Sequence, residues 1–288
     1  MKPRYSFVLI ALVLLNLTAT AFAVPQNKIP AKAAVVMDSS GTVLYAKYPD
    51  AKLEPASTVK LITAMVVIDK LRPETRVKIS KRAGKVRSIQ PRLHPDEELS
   101  VSDLLHLALM KSVNSAAVAL AEAAGGTEQE FVALMNQKAR EIGASNTLFS
   151  NASGLPKGVQ YTTVSDLALI MRTALTYPLI KEILGTKAWL VRTSDGRDIF
   201  FENSNNLLWQ KENVIGGKTG YTGNARHCFV CAINTDKGPL YTAVLGARSR
   251  YSLWKSTILL EEIGMNPDMV SASERASMAR RVSQKIVQ

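Results

Sequence analysis

Cysteine is scarce in this chain. Its 288 residues include two, Cys228 and Cys231, too few for a disulfide-dense scaffold. Histidine is nearly as rare, with His94, His106 and His227 only. No H-E-x-x-H and no second cysteine pair accompany them, so no metal site is indicated, and none of the three reads as catalytic. Low-complexity segments and internal repeats are also missing. With 47% hydrophobic and 21% charged residues, the composition excludes a disordered chain and suits one large domain or two small ones.

Long apolar runs are confined to the N-terminus. Lys2 and Arg4 precede an unbroken run from Phe7 to Leu15, and Ala21-Phe22-Ala23 follows as a small-x-small cleavage site. This reads as a secretory signal over residues 1–23, because a membrane-spanning helix needs about 20 apolar residues. The remaining protein is expected to work outside the cytoplasm, secreted or periplasmic. Acidic side chains are the minority, 24 against 36 Lys and Arg, for a formal charge of +12. Removing the leader takes away two cations and no acid. Such a charge suits nucleic acid, anionic lipid or an anionic polymer. Aromatic residues are not interleaved with basic ones as a base-stacking surface requires, so nucleic acid is not expected. A carboxylate-rich wall polymer fits the compartment better; diffuse charge for solubility is the plainer reading.

Strand patterns come from both ends of the chain. Ala33 to Asp38 and Thr42 to Tyr45 flank Ser39-Ser40-Gly41 as a hairpin. Val214 to Tyr221, Phe229 to Asn234 and Pro239 to Ala247 read as an antiparallel meander. A buried helix is expected over Ser57 to Leu71 and a closing helix over Leu253 to Ile263. Residues Lys78 to Glu98 read as loop with short strands. Between the ends the pattern is helical. Ser100 to Asp103 opens an apolar helix ending near Met110, and Thr127 to Glu130 opens another to about Ile142. Leu167, Ile170, Met171, Ala174 and Leu175 share a helical face. The expected architecture is α/β (α+β): one antiparallel sheet flanked by helices, and a mostly helical lobe over about residues 72–185. Residues 24–263 form the folded domain, and a cleft between the lobes is the expected site.

One helix start breaks a local rule. In Ser57-Thr58-Val59-Lys60 a capping box would place an acid where Lys60 stands, and a cation at a helix N-terminus costs about 0.3–1 kcal/mol. Locally wrong residues mark functional sites. Residues i and i+3 share a helical face, so the Lys60 amine can reach the Ser57 hydroxyl and, if neutral, take its proton. S-x-x-K alone is weak and recurs at Ser252 to Lys255. Two further elements raise its weight: Ser112-Val113-Asn114, in a loop between helices, and Lys218-Thr219-Gly220 on the glycine-rich strand. Ser204-Asn205-Asn206 is a rival S-x-N, only 12 residues before Lys218. Gly216, Gly217 and Gly220 lack side chains, so an extended peptide can pair along that strand; a plain turn or bulge is the alternative.

The ordered set of motifs resembles the penicillin-recognising serine transferases and hydrolases. Within them the chain resembles the low-molecular-mass penicillin-binding proteins of the D-alanyl-D-alanine carboxypeptidase family. Pro55 to Ala64, Ser153-Gly154-Leu155, Tyr161 to Leu169 and Gly217 to Thr222 carry the likeness, which spans about residues 32–263. It implies a β-lactamase/transpeptidase-like fold and a serine peptidase without a cofactor. Ser57 would be the acyl-enzyme nucleophile and Lys60 its general base. Ser112 and Asn114 would relay protons and bind the substrate amide. Lys218 and Thr219 would bind the terminal carboxylate, with Arg248 nearby. Gly220 and Tyr221 lie on the substrate strand, and the N–H groups of Ser57 and Tyr221 would form the oxyanion hole. The implied substrates are peptidoglycan stem peptides, and β-lactams would be covalent inhibitors.

The resemblance leaves alternatives. The same residues serve carboxypeptidase action on stem pentapeptides and D,D-endopeptidase action on cross-links, and the short C-terminus resembles the soluble endopeptidase subgroup. A β-lactamase and a non-catalytic wall sensor are more distant. No E-x-x-L-N stands between Asn114 and Lys218, which argues against class A β-lactamase chemistry. The basic tail, residues 264–288, reads as a solvated end or a weak amphipathic contact with an anionic membrane or wall surface. Cys228 and Cys231 lie three apart on a strand, so their side chains face opposite sides at ~10 Å, too far for a disulfide.

Overall fold

The computed structural model describes residues 29–270. The expected leader over residues 1–23 and most of the basic tail lie outside them. β1 (Ala33–Met37) and β2 (Val43–Lys47) form the expected hairpin. A 3₁₀ turn, Ala56–Val59, leads into α1 (Lys60–Lys70). The small ribbon of β3 (Arg76–Lys78) and β4 (Glu98–Ser100) encloses α2 (Lys81–Lys85). Then come α3 (Val101–Leu109), α4 (Asn114–Gly125), α5 (Glu128–Glu141), α6 (Val164–Ala174) and α7 (Pro178–Gly185). The hairpin of β5 (Ala188–Arg192) and β6 (Asp198–Glu202) precedes α8 (Leu207–Gln210). β7 (Val214–Thr222), β8 (Arg226–Ile233), β9 (Leu240–Ala247) and α9 (Arg250–Met265) complete the chain.

The main sheet has the order β2-β1-β9-β8-β7, every pair antiparallel. Strands from the two ends of the sequence therefore lie side by side, as expected. β1 and β9 are buried along their whole length because helices cover both faces. The period of two sorts the strand residues. Ala33, Val35 and Met37 join the larger core with α1 and the central helices, whereas Ala34 and Val36 join the core under α9. The same alternation puts Cys228 in one core and Cys231 in the other, and both thiols are free and buried.

Caps explain the helix starts. Ser100, Thr127, Thr163 and Ser249 each accept a hydrogen bond from the backbone N–H three residues on. Ser57 does not act this way: the α-helix begins only at Lys60, and no side chain caps the turn before it. Three features differ from the sequence expectation. The helical lobe does not extend unbroken from 72 to 185, because α6 packs on β1, β8 and β9 and α7 on β7; their apolar faces complete the sheet's core. The β5–β6 hairpin was not anticipated, although its strands alternate in burial around Asp195-Gly196. The closing helix reaches Met265, past the expected boundary at 263.

Candidate active site

β7 is an edge strand, so one side of its backbone faces the 3₁₀ turn rather than another strand. The turn presses on it closely. A Cβ added at Gly220 would lie 2.9 Å from the Ser57 nitrogen, so only glycine lets the strand pass the N–H of that residue. Ala56, at φ +48°, turns the chain sharply just before Ser57. A non-glycine residue there is strained, and such strain is kept where surrounding contacts impose it.

Lys60 begins α1 and is completely buried. Its Nζ lies 3.0 Å from Ser57 Oγ, 2.7 Å from Asn114 Oδ1 and 2.6 Å from the Ser153 carbonyl. Two of these partners are amide or peptide oxygens that can only accept. The third is a hydroxyl, which can also donate. All three can accept from Nζ; when the amine is neutral it can keep its N–H bonds to Asn114 and Ser153 and turn its lone pair to the Ser57 hydroxyl. Burial pushes the Lys60 amine well below its ordinary range, and the charge of Lys218 adds to the push.

Asn114 is the first residue of α4. Its N–H donates to Ser88 Oγ at 2.9 Å and its Nδ2 to the Arg87 carbonyl at 2.9 Å. The amide is thereby held with its oxygen toward Lys60. Ser112 sits in the preceding turn with φ +67°. Among the described residues its hydroxyl makes no hydrogen bond to Lys60 or Lys218.

On the strand side, Lys218 is fully buried and donates to the Thr219 carbonyl at 2.8 Å. Burial lowers its amine to about 7. Thr219 Oγ1 meets Ser204 Oγ at 2.7 Å, and the Ser204 N–H donates to the Met110 carbonyl at 2.9 Å. Tyr221 is exposed beside His227, with ring centroids 4.6 Å apart. Arg248 lies just past β9 and is not bonded into this cluster; it lines a separate basic cavity. Among the described residues no carboxylate hydrogen-bonds to either buried lysine. Asp166 is instead held by the Asn146 N–H and the Thr147 hydroxyl. Among the described residues no three His, Cys, Asp or Glu side chains are placed to hold a metal ion.

Two participants escaped the sequence reading. The Ser153 carbonyl reaches Lys60 only because Gly154 adopts φ +80° against the Ala56–Ser57 peptide, where an added Cβ would lie 2.0 Å from the Ala56 oxygen. The Ser153-Gly154-Leu155 motif was the available signal. Ser204 belongs to the S-x-N copy that was set aside as a rival; it meets Thr219 rather than Lys60. Gly154→Ala is expected to destabilise the fold by about 2–5 kcal/mol, combining left-handed strain with overpacking, and to slow acylation more than tenfold. Thermal unfolding and labelling by a fluorescent penicillin measure the two effects; an unchanged melting temperature would refute the geometry.

The arrangement offers a hydroxyl beside a buried amine, a helical-turn N–H, and a second buried amine along an open strand edge. It can transfer an acyl group from a substrate whose tail is anionic. The chain is similar to several known proteins. The family model described as D-alanyl-D-alanine carboxypeptidase matches residues 20–249. D-alanyl-D-alanine carboxypeptidase DacF of Bacillus subtilis is 33% identical over 259 residues, covering 86% of this chain and 67% of the relative. The D-alanyl-D-alanine endopeptidase of Escherichia coli is 32% identical over 240 residues, covering 82% and 77%. The crystal structure of a D-alanyl-D-alanine carboxypeptidase from Mycobacterium tuberculosis superposes with a TM-score of 0.79 at 30% identity, covering 84% of this chain and 94% of that one.

Proposed function

This chain belongs to the D-alanyl-D-alanine carboxypeptidase family of serine peptidases, and from that premise we propose that Ser57 carries the acyl group in D-alanine removal from peptidoglycan stem pentapeptides. One observation supports the assignment above others: Ser57 Oγ stands 3.0 Å from a fully buried amine whose other two partners are carbonyl oxygens.

The Ser57 proton passes to the Lys60 lone pair as Oγ attacks the carbonyl of the penultimate D-alanine. The oxyanion forms beside the N–H groups of Ser57 and Tyr221. The C–N bond breaks, and the leaving amine takes the proton held by Lys60. D-Alanine departs and an ester remains on Ser57. Water then attacks the ester, gives its proton to Lys60, and Ser57 recovers a proton as it leaves. Asn114 holds Lys60 and offers its amide to the substrate backbone. Protonated Lys218 and Thr219 hold the terminal carboxylate, and the substrate lies extended along the β7 edge past Gly220. β-Lactams acylate the same hydroxyl. A peptidoglycan substrate supports a location outside the cytoplasm, as does the leader-like pattern of residues 1–23.

Endopeptidase action on D,D cross-links is the second reading. It is supported by the likeness to the Escherichia coli endopeptidase, 32% identical over 240 residues. Incubation with pentapeptide monomers and D,D-cross-linked dimers, read by mass spectrometry, separates the two. Loss of one alanine from monomers is the expected result. Cleavage of dimers without that loss would replace the carboxypeptidase reading with the endopeptidase one.

A further inference from the structure

Past the end of β9 the surface opens into a cavity of about 620 Å³ lined by Lys32, Lys47, Arg226, Arg248, Gly246 and Ser252, with no acidic residue in its wall. Elsewhere on the molecule Arg82, Lys138, Arg192, Arg197 and Lys211 each pair with a carboxylate. Among the described residues none of the four cations in the cavity does. Lys47 donates to the Ile29 carbonyl at 2.8 Å, which leaves its charge uncompensated. Burial lowers its amine.

The cluster is built rather than incidental. Gly246 has φ +72°, and a Cβ there would lie 2.7 Å from Lys32 Cδ, so the lysine stem crosses the strand where a side chain is missing. The wall at Ser252 is the first turn of α9, a 16-residue helix capped by Ser249 with no acid in its first turn. Its dipole adds positive potential. His227, on the side facing the site, is pushed down by burial and by the charges of Arg250 and Arg226.

The cavity is joined to the active site by the sheet. Tyr221 pairs with His227, and His227 with Ala247. At ~4.8 Å per strand, the Arg248 backbone lies ~10 Å from that of Tyr221. A stem peptide paired on the open edge of β7 lies one strand further out, so it reaches the cavity by turning across the strand ends beyond Thr222, a path of ~14 Å or four to five extended residues at ~3.3 Å each.

We propose that the cavity formed by Lys32, Lys47, Arg226 and Arg248 is a carboxylate-binding subsite for the part of a stem peptide remote from the scissile bond. The inference rests on the peptidase reading of the Ser57 site for its substrate class. It accounts for Arg248 standing apart from Lys218 and Thr219.

The test separates this subsite from the catalytic reading. Fluorescently labelled stem pentapeptides, with the side-branch carboxylates free or amidated, are titrated by anisotropy into the Ser57→Ala protein. In that background a Lys32→Gln/Arg226→Gln variant is compared. The free-carboxylate peptide is expected to bind about five- to tenfold tighter than the amidated one, as for a charge-assisted contact. The double variant is expected to lose most of that preference. Equal binding of the two peptides, or a preference unchanged in the variant, overturns the subsite. Penicillin acylation is measured in parallel with Ser57 intact. It is expected to stay within about twofold in the Lys32→Gln/Arg226→Gln protein, because these groups lie outside the acylation machinery. A failure of penicillin to acylate the unaltered protein overturns the Ser57 reading, whereas the anisotropy result stands on its own.

Discussion

Ser57→Ala is expected to remove covalent labelling by fluorescent penicillin and stem-peptide hydrolysis together, by at least about 10⁴-fold. The loss is chemical rather than structural. The hydroxyl is no cap for α1, and its bonds are to Lys60 at 3.0 Å and to the Ser153 carbonyl at 3.4 Å. Removing them leaves the amine with Asn114 and Ser153 as partners. The melting temperature should therefore move little, by the equivalent of about 1 kcal/mol. Persistent stoichiometric labelling of the folded variant would eliminate Ser57 as nucleophile and turn attention to other hydroxyls of the cleft, Ser112 first.

Lys60→Met is expected to slow acylation by about 10²- to 10⁴-fold, the range of a general base, while the protein stays folded. Methionine fills the volume but leaves Asn114 Oδ1 and the Ser153 carbonyl without their donor, a cost of about 1–3 kcal/mol set against relief from burying an amine. The pH profile distinguishes a base from a mere spacer. Lys60 must be neutral to accept the proton, so acylation in the unaltered protein rises with pH as this amine deprotonates. Burial first, and then the charge of Lys218, holds the Lys60 amine well below its ordinary range, so the rising limb lies well below the usual lysine range. Lys218, lowered to about 7, loses the charge that holds the carboxylate, so kcat/KM falls at higher pH. In Lys60→Met the rising limb should vanish and the falling limb remain. Acylation within tenfold of the unaltered protein, or an unchanged rising limb, would exclude Lys60 as the base.

Much of this is legible in the amino-acid sequence. Apolar runs set off by glycine-containing turns located the five strands of the main sheet. Caps at Ser100 and Thr127 located two central helices, because a cap is a bond across three residues of the same chain. The misplaced cation at Lys60 pointed to Ser57 for a local reason, a helix start with the wrong charge. The order of the motifs then pointed to the family. The missed hairpin had the required alternation, but its outward face carries Leu190 and Phe200, both exposed. Apolar residues on both faces blurred the pattern. α6 was read correctly as amphipathic; which surface its apolar face would meet is not a local property.

Most of the elements, and the residue types available for chemistry, follow from side chains a few positions apart. Tertiary structure alone decided which of those types meet. Ser153 contributes through a backbone carbonyl, which every residue possesses, and it meets Lys60 across 93 positions of chain. The Arg87 carbonyl that orients Asn114 is equally anonymous, and Ser204 reaches Thr219 through the path of the β6–α8 connection. Arg248 shows the converse. Its motif placed it beside the carboxylate pocket, whereas the turn after β9 sends it to a cavity shared with Lys32, Lys47 and Arg226. Contacts of this kind are set by packing, where a Cβ at Gly154 or Gly220 would meet the backbone of another element, and no local pattern encodes that distance.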